Sequence, residues 1–246
     1  LKMQFEGYGD YSNPSIQPRE FDLFQADNYL VAAGFKDRGP DGIRANEDGQ
    51  RLAFRVVYGS QEHTPRLVLL REEAKKAGIE LNLQLLDSSA QFKQILEKKH
   101  QIAWMGWSTG LVPRFWQYYH SDNAHIPQTN NITNTDDPEL DSLIMRYRES
   151  KEKDERIGLA HLLQRMTHDA GAYIPTYKVP YTREAYWRWL KMPKHFGTRT
   201  TDTIFNPLGE ALFWFDENLK LETMAAKQEG ISYPVVNITD TTWQVD

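Results

Sequence analysis

The feature that most constrains the fold is an alternation of strand-like and helix-like segments between residues 52 and 105. In chain order these are a strand at 52–58, a helix at 64–77, a strand at 79–86, a helix at 90–99 and a strand at 102–105. Successive strands joined by helices pair in parallel through right-handed crossovers. The pattern therefore predicts an α/β layer on a parallel sheet, with the loop after residue 105 at the carboxyl edge, where ligands usually bind.

Residues at the ends of these segments agree with the pattern. Pro65 suits the first turn of a helix, and Gly78 is typical of a helix end. Ser88 or Ser89 is placed to cap the following helix.

Further helices are predicted on both sides of this region. They cover residues 21–33, a segment opened by Pro138, and residues 152–170, which end before Gly171. Residues 173–186 form an extended segment whose two prolines exclude a central strand, and we expect a crossover or hinge there.

Composition excludes several classes of function. The net charge of −5 includes no basic block, so a nucleic acid partner is not expected. The absence of cysteine excludes disulfides, thiolate zinc sites and thiol catalysis. No apolar run approaches the roughly 20 residues that a membrane helix needs, and no signal segment opens the chain. Because the chain begins at Leu1 in turn-rich sequence, we expect a processed product or an excised piece of a longer protein.

The loop at residues 106–110, Gly-Trp-Ser-Thr-Gly, supports two hypotheses. The first is an α/β serine hydrolase, because the loop matches the Gly-x-Ser-x-Gly elbow and offers Ser108 as a nucleophile. The acid and base of the triad would be Asp141, Asp154 or Asp169, and His195. Against this hypothesis, bulky residues and Pro113 follow the loop, and no His-Gly-Gly type of oxyanion loop lies upstream.

The second hypothesis is a ligand-binding loop in a protein that is not an enzyme. Aromatic residues concentrate around this loop: Trp104, Trp107, Trp116, Tyr118 and Tyr119. We expect about half of these rings to fill the core and the others to wall a cleft. Nearby hydroxyl and amide groups are placed to hydrogen-bond a ligand: Ser108, Asn130, Asn131 and Thr133.

Histidine spacing does not predict a metal site. His120 and His125 flank Asp122 in a loop, while His161 and His168 lie seven residues apart on one predicted helix. Neither pair has the His-Glu-x-x-His spacing of a helical zinc site, and the Asp-Gly turns lack the spacing of a calcium loop. We therefore expect no metal and no cofactor.

Several short segments carry a family resemblance. They are residues 26–35, 41–44, 52–58, 78–83, 105–107, 130–134, 137–144 and 174–177. In their order and spacing they resemble the C-terminal half of the family 5 extracellular solute-binding proteins, the oligopeptide, dipeptide and nickel receptors of ABC importers. The nearest subgroup is the branch of microcin and oligopeptide receptors.

That resemblance implies a periplasmic-binding-protein-like fold in which two lobes close over a ligand. Residues 1–178 would supply one α/β lobe, and residues 179–246 a hinge and a C-terminal segment that packs on the other lobe, which this chain lacks. The protein would be the substrate-binding component of an ABC transporter, a monomer that is periplasmic or lipid-anchored outside the cytoplasm. It would deliver oligopeptide-like or related small solutes to a membrane permease.

The resemblance also points to ligand-binding residues: Trp107, Ser108, Thr109, Tyr58, Asn131 and Tyr177. Trp107 keeps the tryptophan of the family's Gly-Trp motif, and Tyr177 matches its hinge tyrosine. Gly110 stands where peptide receptors of the family commonly carry an aspartate that pairs with the α-ammonium group of the ligand, so blocked peptides, sugars and other cargo stay open. Trp104 replaces a residue that is commonly polar, which predicts a more apolar cleft wall.

Overall fold

The computed structural model describes residues 5, 7–107, 112–179, 181, 183–193 and 213–241. The chain divides into two compact units, Leu1–Tyr177 and Lys178–Asp246. The helices of the first unit are α1 (Leu23–Ala32), α2 (Thr64–Ala77), α3 (Ser88–Leu96), α4 (Trp116–Tyr119), α5 (Pro138–Glu149) and α6 (Lys153–Asp169). Its strands are β1 (Asp37–Arg38), β2 (Arg44–Ala45), β3 (Ala53–Tyr58), β4 (Glu80–Leu85) and β5 (Ile102–Ala103). Short 3-10 turns cover Gly9–Tyr11, Gln61–His63 and Ser121–Asn123.

The main sheet of the first unit has the strand order β4-β3-β5, and both pairings are parallel. Val56 in the central strand lies opposite Leu83 on one side and Ile102 on the other. The predicted α/β layer is therefore confirmed. β5 is shorter than predicted, although the Trp104 N–H still donates to the Val57 carbonyl at 2.9 Å.

The ends of the helices follow from local chemistry. α2 has the predicted bounds, with Pro65 in its first turn and Gly78 in the left-handed region at φ 91°. α3 begins earlier than predicted, and the prediction of a serine cap is wrong. The Asp87 carboxylate caps it by accepting from the N–H groups of Ser89 and Ala90, because an acceptor one residue upstream reaches the first free donors.

Two groups of buried side chains hold the first unit together. Val56, Tyr58 and Leu67 pack between the sheet and α2. A larger core joins α4, α5 and α6 through residues such as Tyr119 and Ile144.

Arg44 links the β1–β2 hairpin to α1 and to the end of α2. Its buried guanidinium donates to the Ala77 carbonyl at 2.9 Å and to the Phe35 carbonyl at 2.8 Å, and it pairs with Asp27. Gly78 allows this close approach, because an added Cβ there would lie 2.6 Å from the Arg44 Cγ.

The predicted helix before the hairpin is confirmed as α1, capped by the Asp22 carboxylate. Its apolar side chains are not core residues, since Phe21, Phe24 and Tyr29 are exposed in this structure. Periodicity thus predicted the helix, but not what covers its apolar face.

The second unit contains the antiparallel strands β6 (Leu190–Lys191) and β7 (Trp214–Phe215), followed by α7 (Glu217–Gln228). Trp187 and Trp189 stack with their ring centroids 4.6 Å apart. None of the helices in the described parts of the chain has the length and apolar character needed to cross a membrane.

Candidate functional site

The candidate site lies after β5, on the segment that carries Trp104 and Trp107. Because β3 and β5 are parallel, this segment leaves the sheet at its carboxyl edge. The Gln91 side chain of α3 fixes the segment by donating to the Trp104 carbonyl at 2.7 Å. Gly59 makes room for Gln91, since an added Cβ there would lie 2.4 Å from the Gln91 Oε1.

Trp104 belongs to a first aromatic group at this edge. Its ring lies 5.7 Å from the His63 ring and 6.3 Å from the Tyr177 ring, between centroids. The Arg66 guanidinium carbon lies 4.0 Å from the centroid of the Tyr177 ring. The group thus combines apolar faces with a cation.

Trp107 belongs to a second aromatic group. Tyr118 meets its ring edge-on with centroids 4.9 Å apart, and Tyr173 meets it at 6.1 Å. Tyr173 is in turn 5.7 Å from Tyr119, and burial raises the pKa of its hydroxyl above the usual range. Trp107 thus packs against two tyrosine rings, yet 38% of its surface is exposed, and that exposed part could contact a ligand.

The predicted ligand residues occupy different positions in the first unit. Trp107 and Tyr177 are exposed at the edge of the sheet, whereas Tyr58 and Asn131 are buried. Ser108 and Thr109 lie outside the described residues.

The two buried residues have partners inside the unit. The Tyr58 hydroxyl is 3.0 Å from the Thr64 Oγ1. The Asn131 amide donates to the carbonyls of His120 and Thr135 and accepts from the Thr135 N–H, so it ties a turn together. A direct contact of either residue with a ligand stays a prediction.

Lys98 supports the segment that contains Asn131. Its ammonium group donates to the carbonyl and hydroxyl of Thr129 at 3.0 and 3.1 Å, and to the Asn131 carbonyl at 2.7 Å. Burial lowers the pKa of Lys98 below its usual value. Its role is to hold this loop in place.

Sequence reasoning missed Arg66, His63 and Tyr173. Arg66 lies in the first turn of an amphipathic helix, where charged side chains usually face solvent and have no particular function. Its position could have indicated a place near the site, because a helix that follows a parallel strand begins at the carboxyl edge of the sheet, where ligands bind.

The structure gives no support to a hydrolase elbow. Such an elbow needs a strand that runs directly into the serine and a helix that follows at once. Among the described residues, β5 ends at Ala103 four residues before Trp107, and the next helix begins at Trp116. Ser108 itself lies outside the described residues. The Asp141 carboxylate accepts hydrogen bonds from the N–H and the hydroxyl of Ser121, and His195 lies outside the described residues.

The described residues form no metal site. Within the described ranges, no three His, Asp or Glu side chains are grouped so that they could hold a metal ion. His120 faces Asp122 and Asp141 at 3.5 and 3.8 Å from its Nδ1, and its Nδ1 accepts from the Asp122 N–H.

Comparisons with known proteins agree with this geometry. A family model, described as the middle part of the bacterial extracellular solute-binding proteins, family 5, matches residues 3–125, which is half of the chain. The oligopeptide-binding protein AppA of Bacillus subtilis is 30% identical over 110 residues, covering 42% of this chain and 19% of that protein. The uncharacterized protein y4wM of Sinorhizobium fredii is 26% identical over 189 residues, covering 75% of this chain and 28% of that protein. The chain thus spans less than a third of the length of these relatives.

A solved structure shows the same fold. The structure of AppA from Bacillus subtilis in complex with a nonapeptide matches with a TM-score of 0.67 and 20% identity, covering 85% of this chain and 40% of that one. The likeness confirms the predicted periplasmic-binding-protein-like α/β architecture, and the family model confirms the predicted family. The chain therefore belongs to the bacterial extracellular solute-binding proteins of family 5.

Proposed function

We propose that the protein captures a small solute, an oligopeptide or a related compound, and delivers it to an ABC permease. The observation that carries the proposal is the exposed, supported ring of Trp107 at the carboxyl edge of a parallel sheet in a member of this family. The nonapeptide in the AppA structure favours peptides as the class of cargo.

The supported ring explains how one site takes cargo of varied side chains. Tyr118 and Tyr173 hold Trp107, so little ordering is needed when a ligand covers the ring. An aromatic face offers apolar area that does not depend on one particular side chain. Binding, rather than a reaction, is what this arrangement performs.

In this proposal, residues 1–178 form one lobe and residues 179–246 a hinge and a return to the other lobe. Cargo contacts Trp107, Tyr177 and the loop residues Ser108 and Thr109. Tyr58 and Asn131 act from within the lobe: the Tyr58 hydroxyl pairs with the Thr64 hydroxyl at the start of α2, and the Asn131 amide holds a backbone turn. Closure of the lobes selects a bound state that a permease recognises.

The family is described as extracellular. We propose further that this protein is a monomer, either free in the periplasm or held outside the cytoplasm by a lipid anchor. Recovery of the natural protein in the membrane fraction would indicate a lipid anchor, and its recovery in the soluble periplasmic fraction would indicate a free protein.

The test is to purify the natural protein that contains this sequence and to identify by mass spectrometry the compounds that elute with it. Cargo identified in this way is then titrated by calorimetry into the wild type and into Trp107→Ala. We expect Trp107→Ala to weaken binding about 10- to 100-fold, the range typical of an aromatic anchor.

Tyr29→Ala serves as the matched control, because it also removes an exposed ring but lies on α1. It should leave the affinity unchanged. Equal affinities of wild type and Trp107→Ala would refute the role of the ring. Cleaved products that disappear in Ser108→Ala would refute binding without chemistry and restore the hydrolase hypothesis.

A further inference from the structure

The segment 173–177 is the last part of the first unit, and it is extended without belonging to a helix or a strand. Its side chains alternate in exposure, as in any extended chain. Tyr173 and Pro175 are partly buried, whereas Ile174 is 82% exposed. The ring of Tyr173 contacts Trp107, so the beginning of the segment is held by an aromatic contact.

The end of the segment is held by the ring of Tyr177. This ring lies 6.3 Å from the Trp104 ring, between centroids, and the guanidinium carbon of Arg66 lies 4.0 Å from its centroid. Arg66 belongs to the first turn of α2, a helix that is packed into the core through Leu67. The chain passes to the second unit directly after Tyr177. The contact between Arg66 and Tyr177 therefore ties the end of the first unit to a helix of its core.

The position of Arg66 is not imposed by an ion pair. In the part of the chain that the structure describes, its guanidinium contacts the Tyr177 ring and no carboxylate, and the first turn of α2 contains no acidic residue. Arg71 on the same helix differs, because it pairs with Glu72. An exposed contact between a cation and an aromatic ring shifts a local equilibrium by about 2- to 5-fold.

We propose that Arg66 is a positioning residue: by stacking on Tyr177, it fixes the point at which the chain leaves the first unit. The inference rests on the proposed function, in which this point is the start of the hinge. A fixed start restricts the conformations of the hinge before cargo binds, so less conformational freedom is lost when the lobes close. In this role, Arg66 contacts no cargo.

Limited digestion of the natural protein with trypsin tests the contact without any cargo. A protease draws the residues on both sides of the cleaved bond into its active site, and Lys178 directly follows Tyr177. Tyr177 must therefore leave Arg66 before the chain is cleaved after Lys178, and the rate of cleavage follows the population of this open state. Cleavage after Arg183, which is exposed and lies further along the chain, is the reference within the same digest.

We expect Arg66→Gln to increase the rate of cleavage after Lys178 about 2- to 5-fold, relative to cleavage after Arg183. Arg71→Gln is the matched control, because it removes an arginine of the same helix that is paired with Glu72. It should leave the ratio of the two rates unchanged. An unchanged ratio in Arg66→Gln would overturn the inference.

A double-mutant cycle shows whether Arg66 acts through the ring of Tyr177. Tyr177→Leu removes the ring, so adding Arg66→Gln in this background should cause no further increase in cleavage. If Arg66→Gln causes the same increase with and without the ring, Arg66 acts by another route and the inference is wrong.

Calorimetry separates positioning from direct contact with cargo. Three pentapeptides of one sequence, N-acetylated and C-amidated, carry glutamine, glutamate or lysine at the central position. Arg66→Gln should weaken the binding of all three by one common factor of at most about 5, because a looser hinge affects every cargo equally. A loss confined to the glutamate peptide would indicate a direct charge contact and overturn the positioning role. If neither a peptide nor a recovered solute binds the wild type, the proposed function fails, while the digestion still decides whether Arg66 fixes Tyr177.

Discussion

Replacement of Arg44 by methionine should remove the fastening between the β1–β2 hairpin and the rest of the first unit. Methionine fills a similar volume but leaves the Ala77 and Phe35 carbonyls without the charged donor. Arg38 also donates to the Ala77 carbonyl, at 3.2 Å, so that oxygen keeps one partner. Asp27 loses its buried partner but is half-exposed and regains water.

The expected cost follows from these contacts. Two hydrogen bonds from a charged donor contribute about 1.5–3 kcal/mol each. The desolvation of the guanidinium offsets part of this, so the lower end of the range is appropriate, giving a loss of about 3 kcal/mol in the free energy of unfolding. For a unit of this size, that corresponds to a melting temperature lower by about 6–12 °C.

The assay is thermal unfolding followed by circular dichroism, with Arg51→Met as the control. Arg51 bridges Asp41 and Glu80 at 2.7 and 2.8 Å, but its side chain is 46% exposed. Exposed ion pairs contribute little, so the two together should be worth about 1 kcal/mol, and the control should melt within about 4 °C of the wild type. Similar melting temperatures for the two variants would refute the argument that burial gives Arg44 its importance.

Two further substitutions test other parts of the first unit. Gly59→Ala should push the Gln91 amide away from the Trp104 carbonyl, because the added Cβ lies 2.4 Å from its Oε1 and 3.0 Å from the Ser88 Cα. We expect a loss of about 1–3 kcal/mol in denaturant titration, and an unchanged midpoint would contradict it. His100→Gln should change the pH dependence of stability, since burial, with Lys98 nearby, lowers the pKa of His100. The neutral histidine stabilises the fold above its usual pKa of about 6.5, and that contribution is lost as the pH falls. The variant should therefore lose less stability than the wild type between about pH 7.5 and pH 5, and equal losses would contradict the assignment.

The architecture was predictable because it depends on local patterns. Apolar alternation and the residues at helix ends predicted β3, α2 and β4 nearly to the residue. The start of α3 was missed because a carboxylate and two hydroxyls compete for one capping position, and only geometry selects Asp87. The exposure of Phe24 was missed because periodicity predicts an apolar face but not its partner.

The candidate site was predictable only in part. Trp107 was predicted as a ligand contact because it belongs to a short motif after a strand, which is a local feature; the structure shows its ring exposed, and the contact itself stays a prediction. The contact between Arg66 and the Tyr177 ring was not predicted, because Tyr177 lies far along the chain and approaches Arg66 only in the folded structure. The Asn131 amide could hydrogen-bond a ligand, but in the structure it bonds to backbone groups of His120 and Thr135.

Two segments of the first unit run side by side at the candidate site. Trp104 contacts Tyr177 and Trp107 contacts Tyr173, so the segment after β5 and the segment after α6 touch at both ends. The Trp107 ring, which we propose as the cargo contact, is therefore held by a segment that lies much later in the sequence. Its position depends on how the first unit folds, and the motif after β5 alone does not define the site.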